Sequence, residues 1–236
     1  MKGCGRKIGP FDCCTIILGK CEKYLKQIPK GSIDLVLTDP PYGMKLKSWR
    51  EHGPILGDDQ PFPAETIKRL IRIPRLASYI FCRWNNLWEH ETLPKPKSVL
   101  VWEKIEAGGT GDIKHEHSRD YETVLFYPRI PGHEFRGRPS DVLPASKEGN
   151  YMHPTTKPVR LIIQMLNWYS FETVLDPYIG SGTTGRAAKA MGKHFLGFEA
   201  DKANHGLAVF NIDEERGPSQ ENRFQPDLSQ PPLDIF

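Results

Sequence analysis

The chain reads as an α/β protein, a mostly parallel sheet with helices on both faces. Three observations predict this. Short apolar runs alternate with helical stretches along the 236 residues. One run, Leu35-Val36-Leu37, stops abruptly at Asp39-Pro40-Pro41-Tyr42. Another, Val174-Leu175, leads into a glycine-rich turn, Asp176 to Gly185, that opens a further helical stretch. The length suits one domain with a sizeable core.

Taken in order, residues 1–12 are polar and are expected to be loose. Thr15-Ile16-Ile17-Leu18 predicts a strand, Gly19 a turn, and Glu22 to Gln27 a short helix. Ile33 to Thr38 is the strand that ends at the two prolines. Gly43 to Pro63 is long for a structureless connection and suits a functional loop. A helix starts near Pro63, since proline is welcome in a first turn, and runs to Ile73. Ser78 to Cys82, Ser98 to Trp102 and Glu122 to Tyr127 predict strands. Val159 to Trp168 has helical spacing, Arg186 to Met191 follows the glycine turn, and Lys193 to Glu199 predicts another strand. Lys202 to Ile212 forms a last helix capped by Asp201. A single domain over 13–212 is therefore expected, with a polar, proline-rich tail at 213–236 too poor in apolar residues to fold.

The net charge of +3 argues neither for nor against nucleic acid, because distribution outweighs the sum. No apolar run reaches the length of a membrane span, so no membrane partner is expected. The five cysteines, Cys4, Cys13, Cys14, Cys21 and Cys82, form no CxxC pair and have no histidine at metal spacing. Reduced thiols and no metal site are expected.

The turn after the Ile33 strand carries the chemistry. It sits at a strand's carboxyl end, where open α/β sheets place ligands. Asp39 and the Pro40 carbonyl can each accept one hydrogen of an amino group on a planar ring, Pro41 fixes the turn, and Tyr42 can stack on the ring. Gly180-Ser181-Gly182-Thr183-Thr184-Gly185 satisfies GxGxxG, and Glu199 follows about twenty residues later, as a dinucleotide site requires. An NAD-dependent oxidoreductase is thus the rival reading. Against it, the loop comes too late to complete two mononucleotide halves. Asp176 also precedes the loop, where it would repel a pyrophosphate but suit a cationic ligand.

These motifs, together with His153-Pro154-Thr155-Thr156-Lys157-Pro158, resemble the permuted, beta-type S-adenosylmethionine-dependent DNA amino-methyltransferases. The likeness spans roughly residues 15–212, in the family's motif order. It implies a Rossmann-like methyltransferase fold with a seven-stranded sheet, the hairpin near Glu122 to Tyr127 supplying the antiparallel strand. The implied cofactor is S-adenosylmethionine. Asp176, Pro177, Tyr178, Gly180, Ser181, Gly182 and Thr183 would take its methionine side, Glu199 its ribose, and Lys157 a supporting part. Tyr178 stands where the family more often has Phe. Lys20, in Gly19-Lys20-Cys21, replaces an acid that in the family lies near the cofactor adenine.

The implied partner is double-stranded DNA, with adenine N6 as target; cytosine N4 is the alternative, because the same acceptors fit both amino groups. RNA methylation and a silent nucleic-acid-binding module are further readings. Lys45, Lys47 and Arg50, with Trp49, make either a phosphate clamp or a solvated loop. The target-recognition interval, 128–151, holds Arg129, Arg136 and Arg138 and is too short to read many base edges. A short or relaxed recognition sequence is expected unless a homodimer or the 43–62 loop contributes.

Overall fold

Strand β4 (Ile33–Thr38) is buried at every position, as expected of a central strand covered on both faces. Around it the computed structural model describes residues 3–42, 64–84, 93–105, 114–115, 117–118, 120–129, 134–146 and 156–213. The expected loop of 43–62, including Lys45, Lys47, Trp49 and Arg50, lies outside them, as do His153, Pro154, Thr155 and the tail from 214 onward.

Two two-residue strands, β1 (Lys7–Ile8) and β2 (Phe11–Asp12), form an antiparallel hairpin. They precede β3 (Thr15–Leu18) and two 3-10 turns, Cys21–Lys23 and Leu25–Gln27, which replace the helix expected there. After β4 come α1 (Ala64–Leu70), β5 (Pro74–Cys82), β6 (Ser98–Ile105), β7 (Tyr121–Pro128) and β8 (Val142–Ser146). The chain continues through α2 (Val159–Leu166), β9 (Thr173–Asp176), α3 (Thr183–Ala190), β10 (His194–Glu199) and α4 (Lys202–Asp213). Asp201 caps α4, its Oδ1 accepting from the Asn204 N–H at 2.8 Å.

The main sheet has eight strands in the order β3-β10-β9-β4-β5-β7-β6-β8. Only β7 runs antiparallel to its neighbours, β5 and β6. All seven expected strands are present, and the expected count is corrected by one. The extra strand, β8, pairs parallel with β6 inside the interval assigned to target recognition. Pro144 weakened its sequence signature; at an edge, a residue without an N–H is tolerated.

Alternate residues of the strands face two apolar layers, giving the covered faces that the sequence predicts. Leu35, Leu37, Tyr79 and Phe81 pack with Leu161 and Met165 of α2, Ala187 of α3 and Ile212 of α4. Val36, Ile80, Leu175 and Phe198 pack with Ile67 and Leu70 of α1, Leu25 and Ile8. Ile8 is 2% exposed, and the Phe11 ring meets Phe198 edge-on at 5.5 Å. Ile8 and Phe11 thus tie the hairpin of 7–12 to the packed body, where the sequence predicts a loose segment, and the described body begins earlier than residue 13.

Topology fixes where ligands go. The chain leaves β4 toward β5 on one side, and leaves β9 toward β10 on the other. The crevice outside the carboxyl ends of β4 and β9 is therefore a topological switch point. At the opposite, amino-terminal edge, Cys4, Cys13 and Cys14 gather around His194. Sequence spacing had no means of showing this contact, because Cys14 and His194 lie 180 residues apart.

Candidate active site

Three strand ends converge at the switch point. Register sets Val36 beside Leu175, and Gly197 beside Asp176, so Asp39, the glycine turn and Glu199 emerge along one edge. The glycine turn is tied down from several sides. Asp176 Oδ1 accepts from Thr38 Oγ1 at 2.8 Å and from the Tyr178 N–H at 3.1 Å. Its Oδ2 accepts from Thr184 Oγ1 at 2.6 Å. Burial raises the Asp176 carboxyl to about 6, with these hydrogen bonds opposing the rise. Pro177 is buried behind it, and the Tyr178 hydroxyl donates to Glu22 at 2.9 Å, anchoring the turn to the 3-10 segment.

Backbone conformation explains two of the glycines. Gly180 has φ 53° and Gly182 φ 93°, a region costly for residues with a side chain. A Cβ on Gly182 would lie 3.1 Å from the Ala208 backbone of α4, so the turn can seat closely on that helix only as glycine. A Cβ on Gly180 would meet nothing nearer than 3.9 Å, leaving the space above the turn open to a ligand. Ser181 and Thr183 are buried; Ser181 Oγ lies 3.1 Å from Thr156 Oγ1, and its carbonyl accepts from Asn211.

Glu199 closes the turn from β10. Its Oε2 accepts from the Gly180 N–H at 3.0 Å and its Oε1 from the Asp201 N–H at 2.8 Å. Burial lifts this carboxyl to about 7. A near-neutral carboxylate with unused lone pairs, beside an open glycine turn, fits a ligand carrying paired hydroxyls and a cationic group. Lys20, at the β3 end of the same edge, is exposed.

Asp39 leads a second cluster, across the crevice. Its Oδ1 accepts from the Tyr42 hydroxyl and its Oδ2 from Lys157 Nζ. Lys157 also reaches Glu122 Oε2 at 3.2 Å, while Lys104 holds Glu122 Oε1 at 2.8 Å. Two carboxylates and two ammonium groups thus alternate from β4 to β6. The Lys157 side chain is only 8% exposed, whereas Asp39 keeps 27% of its own open toward the crevice. Burial raises Asp39, and the Lys157 charge opposes that rise. For Glu122 the balance reverses: burial would raise it, but Lys157 and Lys104 hold it down at about 2. Burial alone would lower Lys157, yet its two carboxylate partners raise it. Its Nζ also lies 5.2 Å from the Phe81 ring centroid, and Pro40 is buried while Pro41 is half-buried.

Lys157 is therefore placed against Asp39, with the amino-group acceptors, rather than against the glycine turn. Glu122 and Lys104 went unnoticed in the sequence. Their signal is faint: both belong to strands β6 and β7, whose register sets Trp102 opposite Glu122, and only pairing brings the Lys104 ammonium to it. Arg136 and Arg138 are exposed on the stretch that enters β8.

The chain is similar to known proteins over most of its length. Residues 94–209 match the model of a family described as DNA methylase. The chain is 27% identical over 231 residues to the YubD protein of Escherichia coli (strain K12), covering 90% of this chain and 98% of that protein. Among solved structures, the M1.HpyAVI–SAM complex superposes with a TM-score of 0.63 at 23% identity, over 83% of this chain and 98% of that one. The PvuII DNA methyltransferase, titled cytosine-N4-specific, superposes at 0.65 with 16% identity, over 87% and 88%. These two likenesses share the fold.

Proposed function

We infer, from the membership of this chain in the S-adenosylmethionine-dependent DNA amino-methyltransferase family, that it methylates the exocyclic N6 of adenine in a base flipped out of duplex DNA. When bound, S-adenosylmethionine supplies an electrophilic methyl group on sulfur. The observation that carries the proposal is the Asp39 carboxylate, charge-paired to Lys157 yet partly open beside the glycine turn.

An aromatic amino nitrogen is a poor nucleophile because its lone pair is delocalised into the ring. Asp39 accepts one amino hydrogen and the Pro40 carbonyl the other, drawing density back onto nitrogen and stabilising the charge that develops there. Each carboxylate oxygen has two lone-pair sites, so the bonds from Tyr42 and Lys157 leave room for the substrate. Tyr42 then has its ring for stacking, and Pro41 holds it in place. On the other side, Asp176, Pro177, Tyr178, Gly180, Ser181, Gly182 and Thr183 form the cradle for the cofactor's methionine part, and Glu199 accepts from its ribose hydroxyls. Burial raises Asp39, and the Lys157 ammonium opposes that rise and so favours the accepting, ionised form. A leading Asp leans toward adenine among relatives of this motif. The strand β8 inside 128–151 supports a short or relaxed recognition sequence, since it leaves fewer side chains free for base edges.

The deciding experiment incubates duplex DNA with the protein and S-adenosylmethionine, then identifies methylated nucleosides by mass spectrometry. N6-methyladenine is the expected product. N4-methylcytosine would overturn the choice of base and keep the acceptor chemistry, and neither product would overturn the proposal.

Glu199 gives this reading a pH signature. Its carboxyl at about 7 lies above its ordinary 4.5, so the folded protein holds a proton there that the unfolded chain has lost. The stability this contributes is present below 4.5 and is lost as pH rises through 7. Ribose hydroxyls favour the ionised form, so cofactor binding near pH 7 is expected to release protons and to tighten as pH rises. Calorimetry in buffers of differing ionisation enthalpy reads the release. Glu199→Gln should abolish it and weaken binding about tenfold or more. Proton uptake by the wild type would remove Glu199 from the ribose site.

A further inference from the structure

We propose that Cys4, Cys13, Cys14 and His194 form a structural zinc site that fastens the amino-terminal segment to the sheet. The four side chains offer three sulfurs and one imidazole nitrogen, all within 4.8 Å of one another. A tetrahedral Zn²⁺ with bonds of about 2.3 Å to sulfur and about 2.0 Å to nitrogen sets two sulfurs about 3.8 Å apart, and a sulfur about 3.5 Å from a nitrogen. Here Cys13 Sγ lies 3.7 Å from Cys14 Sγ. His194 Nδ1 lies 3.6 Å from Cys14 Sγ and 3.3 Å from Cys4 Sγ. Three of the six edges of that tetrahedron are thus already close to these lengths, and the other three are within 4.8 Å.

The backbone supports the same conclusion. Adjacent residues of an extended chain point to opposite sides, which would part the Cys13 and Cys14 sulfurs. They converge because Cys14 adopts φ 59°, and among the described residues it is the one non-glycine with positive φ. Such outliers persist only where the surroundings impose them, and they point to function. Three hydrogen bonds hold the ligands: the Cys4 N–H donates to the Cys13 carbonyl, Cys13 to Arg6, and Cys14 to the Phe195 carbonyl at 2.7 Å. Soft thiolates with one imidazole in tetrahedral array favour zinc over hard cations such as Mg²⁺ or Ca²⁺.

The location argues for a structural role. His194 opens β10 and Glu199 closes it, so the cluster lies at the strand end opposite the candidate active site. Four protein ligands also leave no open position for a substrate, the mark of a structural site. The segment it would secure has only two-residue strands, marginal without a further tie.

The test uses the untagged full-length chain. Wild-type protein is stripped with a strong chelator, incubated with equimolar Zn²⁺, desalted and analysed for metal, and its melting temperature is followed throughout. One zinc per chain is expected, with a lower melting temperature after stripping that returns on adding zinc. Co²⁺ in its place should give the visible bands of a tetrahedral thiolate site. Cys4→Ser, at an exposed position, and His194→Gln should each lose bound zinc at least tenfold, while Cys82→Ala keeps it. Substoichiometric zinc in the refilled wild type would overturn the site. So would equal retention by Cys4→Ser and His194→Gln, or recovery of these cysteines as a disulfide without metal.

Discussion

Replacing Asp39 with alanine is expected to cost at least ~10²-fold in methyl transfer while cofactor affinity stays close to wild type; removing one hydrogen-bonding group from a developing charge typically has that effect. The separation follows from the two-sided site. Asp39 belongs to the turn after β4 and touches Tyr42 and Lys157, whereas the glycine turn is organised by Asp176 and Glu199. Asp39→Asn keeps the shape but presents an NH2 group, and a donor facing an amino donor is no better than a gap. Both variants should therefore fail alike. Lys157 retains Glu122 at 3.2 Å in either case, so folding should survive, and a melting curve checks this. Transfer of a labelled methyl group, alongside equilibrium dialysis of the cofactor, reads the two quantities. Turnover within tenfold of wild type in Asp39→Ala would sink the assigned role.

Lys157→Met should damage both stability and chemistry. The residue is 7% exposed and lies between two carboxylates. Breaking a buried pair by removing one partner typically costs about 3–5 kcal/mol, because the remaining charge is left without compensation. For a chain of this size that lowers the melting temperature by roughly 10 °C. Glu122 keeps Lys104, so the unpaired group is chiefly Asp39. Burial already pushes Asp39 up and Lys157 is what opposes it, so without the ammonium its ionisation moves to higher pH. A protonated Asp39 donates where it should accept. Residual transfer by Lys157→Met should consequently climb with pH over a range where the wild type is flat. Melting curves and a pH–rate profile give independent readouts. A profile that stays superimposable on the wild type would show that Lys157 does not set the charge of Asp39.

Both results depend on contacts that are unequally visible in the chain itself. Asp39-Pro40-Pro41-Tyr42 and the Asp176 to Gly185 turn were legible because each is a local event: strand, breaker, ligand-facing group. The burial of both faces of β4, Leu35 against one layer and Val36 against the other, was legible for the same reason, since an unbroken apolar run predicts a strand covered on both sides. Glu122 was different. As a residue in a strand it looked like any solvent-facing acid, and it becomes a partner of Lys157 only once β7 packs beside β5.

Local backbone preference and hydrophobic periodicity are written in neighbouring residues, so the sequence by itself determined the α/β class, seven of the strands, and the acceptor and glycine turns at their carboxyl ends. Only tertiary structure decided the eighth strand, whose signal Pro144 blunts and whose place depends on a free edge of β6. The amino-terminal hairpin rests on two-residue strands, too short for any period to register. Cys14 and His194 stand 180 residues apart, and no short-range pattern connects them. Pairing β10 with β3 brings them together, because a parallel sheet makes neighbours of segments that the chain keeps far apart.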